Sequence, residues 1–221
     1  MKKYKVIILL STYNGEKYLQ QQLDSIFSQK DVEMSLLVRD DGSTDNTIKI
    51  LEEYKKNNNV TIEIIQGKNL GYAKSFLELV RSSKKADYYA LCDQDDVWKA
   101  EKIISAIKLL SKEDNNIPLL YTSNVIPVDS ELNKIDKNLF TENRVLDKYE
   151  CFQRSILPGC TFVFNQQAKL KISKFNGFCE SHDWAIYCIC STFGKVIFDK
   201  NIYIFYRLHG NNAIGQSSSK I

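Results

Sequence analysis

Five apolar residues in a row, Val6-Ile7-Ile8-Leu9-Leu10, end abruptly in the polar run Ser11-Thr12-Tyr13-Asn14. A strand with one wet face alternates apolar and polar side chains. A run without alternation belongs to a strand covered on both faces. The pattern then repeats. Residues 16–28 carry Leu19, Leu23, Ile26 and Phe27 on one helical face, and 34–38 reads as a second strand. A helix is predicted over 45–54, with Ser43 or Thr44 as its cap and Asp45 in its first turn. Asn57-Asn58-Asn59 is a turn, and 60–65 alternates as a strand. The periodicity then predicts a helix over 71–81, a strand over 86–92 and a helix over 99–110. Strand-helix repetition of this kind builds a mainly parallel sheet flanked by helices on both sides. Ligands of such sheets bind beyond the carboxyl ends of the strands. Three polar clusters fall there: Ser11-Thr12-Tyr13-Asn14, Arg39-Asp40-Asp41-Gly42-Ser43 and Asp93-Gln94-Asp95-Asp96.

The second half is less regular. Strands are predicted at 119–124, 160–164, 195–199 and 202–207, and helices at 147–155, 183–191 and near Ala168. One domain over 1–212 is expected, followed by a polar, flexible tail over 213–221. The 221 residues suffice for one well-buried domain, and an apolar fraction of 43% argues against disorder. A net charge of +3, from 30 basic and 27 acidic residues, is too balanced to imply nucleic-acid binding. The cations are mostly Lys, so bidentate phosphate readers are scarce. No stretch approaches the roughly 18 apolar residues that span a bilayer. The basic start, Met1-Lys2-Lys3-Tyr4-Lys5, leads into the first strand rather than to a small-residue cleavage site. The chain is therefore expected in the cytosol, with peripheral association at the inner face of the cell membrane left open. The six cysteines form no C-x-x-C pair and read as reduced, mostly buried thiols.

The acidic cluster carries the chemistry. Asp93 and Asp95, two positions apart after a buried strand, can face one hard cation, Mn²⁺ or Mg²⁺, which prefers oxygen ligands and keeps positions open for phosphate. Such a cation neutralises charge growing on a diphosphate leaving group. A solvated turn is the plain alternative for a lone D-x-D, and the neighbouring strand-end clusters weigh against it. A carboxylate after the second strand, Asp40 or Asp41, can accept the ring N–H of uracil or thymine. The turn Asn69-Leu70-Gly71 opens a helix whose N-terminus could face phosphate, with Lys74 in reach; Gly71 could equally serve the turn alone.

Taken together these segments resemble the family 2 glycosyltransferases. The resemblance is carried by Ser11-Thr12-Tyr13-Asn14, by Asp40-Asp41-Gly42-Ser43-Thr44-Asp45-Asn46-Thr47, by Asn69-Leu70-Gly71 and by Asp93-Gln94-Asp95-Asp96-Val97-Trp98. His182-Asp183-Trp184 and Tyr206-Arg207-Leu208-His209-Gly210-Asn211-Asn212 complete it. Bacterial rhamnosyltransferase-like members are the most similar. The resemblance implies an α/β fold of the glycosyltransferase A (nucleotide-diphospho-sugar transferase) type. It implies an inverting enzyme that moves a sugar, L-rhamnose among the candidates, from a UDP- or dTDP-sugar to a glycan or lipid-linked saccharide in cell-surface polysaccharide synthesis. Asp41 would read the base, with Thr12, Tyr13, Asn14, Lys74 and Asp93 completing the nucleotide site. Asp95 would hold the divalent cation, with Asp93 and His209; Arg207 could instead pair with phosphate. Asp96 is expected to cap the following helix. Asp183 would be the catalytic base, shielded by Trp184, and Gly159 would let backbone approach a sugar. A nucleotide-sugar-binding protein without turnover is one rival. A receiver-type domain is another, disfavoured because its acidic pair belongs after the first strand.

Overall fold

The structure is a computed structural model, and it describes residues 3–58, 60–135, 149–152 and 157–209. The expected tail over 213–221 and parts of the helix expected over 147–155 lie outside them. Within 149–152 a single 3-10 turn, Glu150–Phe152, is present.

The unbroken apolar runs become strands with helices on both faces. Strands β1 (Tyr4–Thr12), β2 (Val32–Asp40), β3 (Thr61–Gln66) and β4 (Tyr88–Cys92) alternate with α1 (Leu19–Phe27), α2 (Thr47–Asn57) and α3 (Tyr72–Ser82). These four strands are parallel, with β1 between β2 and β4. Val6, Ile8 and Leu10 of β1 join one hydrophobic cluster while Ile7 and Leu9 join the other. Both sets are buried because the sheet is covered twice.

After β4 the chain makes β5 (Val97–Trp98), α4 (Lys102–Leu110), β6 (Leu119–Val128), β7 (Val163–Asn165), α5 (Gln166–Ser173), α6 (His182–Phe193) and β8 (Lys195–Arg207). The sheet order is β3-β2-β1-β4-β7-β6-β8-β5. β7 runs antiparallel to both β4 and β6, and β8 is parallel to β6. Helices α1 and α4 cover one face, while α3, α5 and α6 cover the other.

Several local expectations are corrected. The two closing strands are one strand, kept in register with β6 by shifts at Ser123/Asn124 and Asn124/Ile126. Residues 160–164 divide into a 3-10 turn, Gly159–Thr161, and the three-residue β7. Neither Ser43 nor Thr44 caps α2, and Asp45 lies before the helix. Asp45 accepts the Thr47 amide at 3.0 Å and the Thr47 hydroxyl at 2.6 Å. α5 is capped from a strand: Asn165 accepts the Ala168 amide at 2.9 Å and the Leu119 amide at 3.0 Å.

Gly194 joins α6 to β8 where no side chain fits, since a β-carbon there would overlap the Pro118 carbonyl. The Lys195 amide donates to that same carbonyl at 2.9 Å. Gly194→Ala must therefore part β8 from the segment leading into β6. The expected loss is about 2 kcal/mol or more, read as a lower urea midpoint with an unchanged slope. An unchanged midpoint would refute the packing argument.

Candidate active site

Parallel pairing sets three strand ends side by side: Thr12 lies opposite Asp40, and Leu10 opposite Cys92. The loops that follow are sewn together. The Asp41 amide donates to the Thr12 carbonyl at 2.9 Å. The Tyr13 amide donates to Gln94 Oε1 at 2.9 Å, and Gln94 Nε2 returns a bond to the Tyr13 carbonyl at 3.1 Å. Gly15 is needed here because a β-carbon would overlap the Gln94 amide.

The two neighbouring aspartates divide the work. Asp40 builds the turn: it accepts the Gly42 and Ser43 amides at 3.1 and 2.9 Å and the Thr12 and Ser43 hydroxyls at 2.9 and 2.5 Å. Asp41 is buried, ion-paired with Arg39, and accepts the Leu70 amide at 3.0 Å. A carboxylate has about four lone-pair sites, so Asp41 keeps acceptor capacity. Arg39 also donates to the Lys68 carbonyl at 3.2 Å, which ties the Asn69-Leu70-Gly71 turn to β2. Thr12 departs from expectation. It is buried under the turn, with its hydroxyl given to Asp40 rather than turned outward. Tyr13 is exposed and free to stack. Asn14 has a left-handed φ of 48° and cross-links the loops, accepting the Thr44 amide at 2.8 Å. Lys74 is exposed on the first turn of α3, and among the described residues no ion pair or hydrogen bond draws it toward the acidic cluster.

The acidic cluster is drawn together with the end of β8. His209 Nε2 lies 2.8 Å from Asp95 Oδ2, and its ring packs 5.0 Å from that of Tyr18. Asp96 is fully buried and accepts the Arg207 amide at 3.0 Å. It does not cap α4, which begins at Lys102; β5 intervenes and pairs with β8. Arg207 is no phosphate reader. Its buried guanidinium donates to the Asp95 carbonyl at 2.8 Å, to Gln21 at 2.6 Å and to the Ser130 carbonyl, over the Tyr18 ring. Beneath the loop Lys102 is fully buried, its ammonium 3.6 Å from the Trp98 ring centre. Burial lowers that ammonium to about 8. Burial also pushes the Asp93 carboxyl up to about 7, reinforced by the charges of Asp95 and Asp183. Asp96 is pushed well above the carboxylate range by the same causes: burial, then Asp95 and Asp93.

Donor atoms of Asp93, Asp96 and Cys160 lie within 4.8 Å of one another. Of this group, burial holds Cys160 as a neutral thiol, Asp96 already serves Arg207, and the nearby Lys102 repels cations. Asp95 with His209, backed by Asp93, is the donor set that suits a hard or borderline divalent ion.

Asp183 enters from the other side, in the first turn of α6, buried and accepting the Trp184 amide at 2.8 Å. It is close enough for its charge to raise both Asp93 and the Tyr72 hydroxyl. The Trp184 indole N–H donates to the Cys151 carbonyl at 2.5 Å. Gly159 does serve a close approach, but to His182 and Asp183, which a β-carbon would meet at 2.8 and 3.1 Å. His182 is stacked on Phe76 at 4.1 Å and edge-on to Tyr72 at 5.9 Å, with neither ring nitrogen hydrogen-bonded. Burial lowers this imidazole to about 4 against the opposing pull of Asp183.

Sequence reasoning gave no role of their own to Arg39, Gln94, Lys102 and His182. The scarcity of Arg was a usable signal: of five arginines, Arg39 and Arg207 are buried beside the site. Lys102 gave none, since it looks like any helix-surface lysine.

A parallel sheet with acidic loops at its carboxyl ends and an antiparallel insertion is the glycosyltransferase A fold. Staphylococcus aureus TarS in complex with UDP-GlcNAc superposes with a TM-score of 0.72 at 18% identity, over 98% of this chain and 62% of that one. The Pyrobaculum calidifontis mannosyltransferase PcManGT, in complex with GDP-Man and Mn²⁺, gives 0.65 at 13%, over 92% and 57%. Residues 7–171 match the model of glycosyl transferase family 2, and the chain belongs to that family. It is a glycosyltransferase. It is 33% identical to the dTDP-rhamnosyl transferase RfbG of Shigella flexneri, over 95% of this chain and 75% of that protein. A Haemophilus influenzae glycosyltransferase is 27% identical over 93% of this chain and 66% of its own length. The chain thus spans about three fifths to three quarters of these proteins.

The depressed His182 titration has a measurable consequence. A group held neutral below its ordinary value contributes stability that is whole above pH 6.5 and is lost as pH falls toward 4. Wild type should lose roughly 3 kcal/mol more than His182→Gln across that interval, measured by urea unfolding at stepped pH. Parallel curves would show that the imidazole is not held neutral.

Proposed function

We propose that this chain transfers a sugar, with inversion, from a dTDP- or UDP-sugar to a saccharide hydroxyl, and that L-rhamnose is the sugar. The observation that carries the reading is the meeting of Asp93, Asp95 and His209 with Asp183 beyond the strand ends, beside the buried Asp41. The likeness to a dTDP-rhamnosyl transferase supports the donor.

Asp41, with its charge balanced by Arg39, accepts the pyrimidine N–H, and Tyr13 offers an exposed ring to the base. Asn14 keeps the loops that frame the ribose at a fixed spacing, and Lys74 on α3 is within the helix turn that faces the diphosphate. Asp95 and His209, with Asp93, hold a divalent cation, Mn²⁺ or Mg²⁺, which when bound supplies charge stabilisation to the departing diphosphate. Asp183 takes the proton from the acceptor hydroxyl as its oxygen attacks the anomeric carbon. A single in-line displacement inverts configuration. The acceptor is a glycan or lipid-linked saccharide of a cell-surface polysaccharide.

Two expected outcomes test this. In a panel of UDP- and dTDP-sugars, dTDP-L-rhamnose should be turned over in the presence of Mn²⁺ or Mg²⁺. Asp183→Asn should bind the donor nucleotide unchanged in calorimetry yet lose at least about 100-fold in transfer. Near wild-type turnover by that variant, or no binding of any pyrimidine donor by the wild type, would sink the proposal. Separately, His209→Ala and Asp95→Asn should each raise the cation concentration needed for half-maximal turnover by about tenfold or more. An unchanged requirement would move the ion elsewhere.

A further inference from the structure

Eight large apolar side chains are exposed among the described residues. Tyr13, Leu70 and Tyr72 belong to the strand-end loops already described. The other five, Tyr149, Phe152, Leu170, Phe178 and Phe193, lie on α6, on elements that pack against it or on the chain leading into it. Tyr149 and Phe152 belong to the short segment that packs on α6 through Cys151, whose carbonyl accepts from Trp184 and, at 3.1 Å, from Cys188 Sγ. Leu170 lies on α5, which packs against α6, and Phe193 is the last residue of α6 itself. Phe178, 93% exposed, lies on the chain leading from α5 into α6.

α6 itself, His-Asp-Trp-Ala-Ile-Tyr-Cys-Ile-Cys-Ser-Thr-Phe, carries no charge after Asp183. A helix that is apolar all round is normally buried all round. Here Ile186, Tyr187 and Cys190 face the core, while Cys188 and Ile189 are only half-buried and Phe193 is in water. Isolated exposed apolar residues need no explanation, but a grouped set does.

Charge says what would cover it. Residues 166–179 contain Lys169, Lys171 and Lys174 and no acid. Lys171 and Lys174 are exposed, and Lys171 Nζ stands 4.5 Å over the Phe193 ring. Glu180 is the exposed acid at the edge next to the active site, and Lys195 at the far edge is paired with Glu113 at 2.8 Å. Lysines bordering exposed aromatic and aliphatic side chains form the pattern that binds the interface of an anionic bilayer: the rings enter the headgroup layer and the ammonium groups meet lipid phosphates. No helix among the described residues is long and apolar enough to cross a membrane, so attachment of this part of the chain would be at the surface.

We propose that the α5–α6 face docks on an anionic lipid bilayer. This goes beyond the glycosyl-transfer reading and does not depend on it. It also has a consequence for that reading. α6 starts at Asp183 and ends at Phe193, so the docked helix lays the acceptor side of the site along the membrane, where a lipid-linked saccharide would present its hydroxyl.

Sedimentation with extruded vesicles tests it. At ~0.1 M salt the wild type should pellet with vesicles of phosphatidylcholine holding about 30% phosphatidylglycerol and stay in solution with phosphatidylcholine alone. Raising salt to ~0.5 M should release it. The Lys169→Glu, Lys171→Glu, Lys174→Glu triple variant should partition at least about tenfold less, and Phe178→Ala with Phe193→Ala should also weaken binding. Donor hydrolysis in the absence of vesicles should stay within about twofold of wild type in both variants, which separates a surface effect from a folding or catalytic one. Equal pelleting by wild type and triple variant, equal binding to neutral vesicles, or no pelleting at all would overturn the proposal. So would a wild-type dimer in sedimentation velocity that Phe193→Ala dissolves, because the face would then be covered by a second copy.

Discussion

One buried guanidinium holds the site in shape. Removing an arginine from water is costly unless its donors are satisfied, and Arg207 meets that condition where three other parts of the chain converge on the end of β8. Its partners are the Asp95 carbonyl in the acidic loop, Gln21 on α1, the Ser130 carbonyl after β6 and the face of Tyr18. Its own amide is received by Asp96. Moving any one part would strand a donor of the buried cation. Because β8 is locked to the acidic loop in this way, the chain two residues further on has a defined course, and His209 arrives at Asp95. The candidate cation site is thus assembled by a residue that touches no ligand.

The same loop is electrostatically uncomfortable, and the discomfort is local. Asp93 and Asp96 are raised by burial and by each other's neighbours, while Lys102 is lowered beneath them. Compare Asp40, whose carboxylate accepts four hydrogen bonds, and Asp41, which has an arginine. Both groups are aspartates at the end of a buried parallel strand, yet one is satisfied by the protein and the other is not. Unrelieved like charge in a packed fold is kept where something else relieves it on binding. The contrast separates Asp40 and Asp41, whose charge the protein's own donors balance, from Asp93, whose charge burial and its neighbours oppose.

Periodicity revealed β1 to β4 and α1 to α4 because each satisfies a local rule: an apolar run for a doubly covered strand, alternation for the edge strand β3, a 3.6-residue repeat for a helix. It also put the polar clusters at the right end of the sheet. It failed where a segment answers to distant partners. β5 is two residues long and exists only because β8 pairs with it. β8 reads as two strands since Lys200 and Asn201 interrupt its pattern, but its pairing with β6 absorbs the interruption in a register shift. Asp96 looks like a cap because it precedes a helix; its hydrogen bond to Arg207 spans 111 positions and cannot be inferred from spacing. Within the site, motif order led to the expectation that Asp41, Asp95, Asp183 and His209 act as a group. The structure brings Asp95 and His209 into contact, and the supporting roles of Arg39, Gln94 and Thr12 became visible only with coordinates.

The first turn of α6 shows why a supporting residue can matter as much as a reacting one. His182 and Asp183 are adjacent, and an imidazolium there would be an immediate counter-ion for the carboxylate. The protein prevents it by packing. Phe76 covers one face of the ring, Tyr72 meets its edge, and Gly159 brings backbone against it where any other residue would collide. The N-terminal position also disfavours a cation, because the helix dipole is positive at that end. A neutral ring puts no imidazolium beside Asp183. The glycine in Pro158-Gly159-Cys160-Thr161 therefore acts at one remove: the missing side chain makes room for His182, and the packed ring stays neutral beside Asp183.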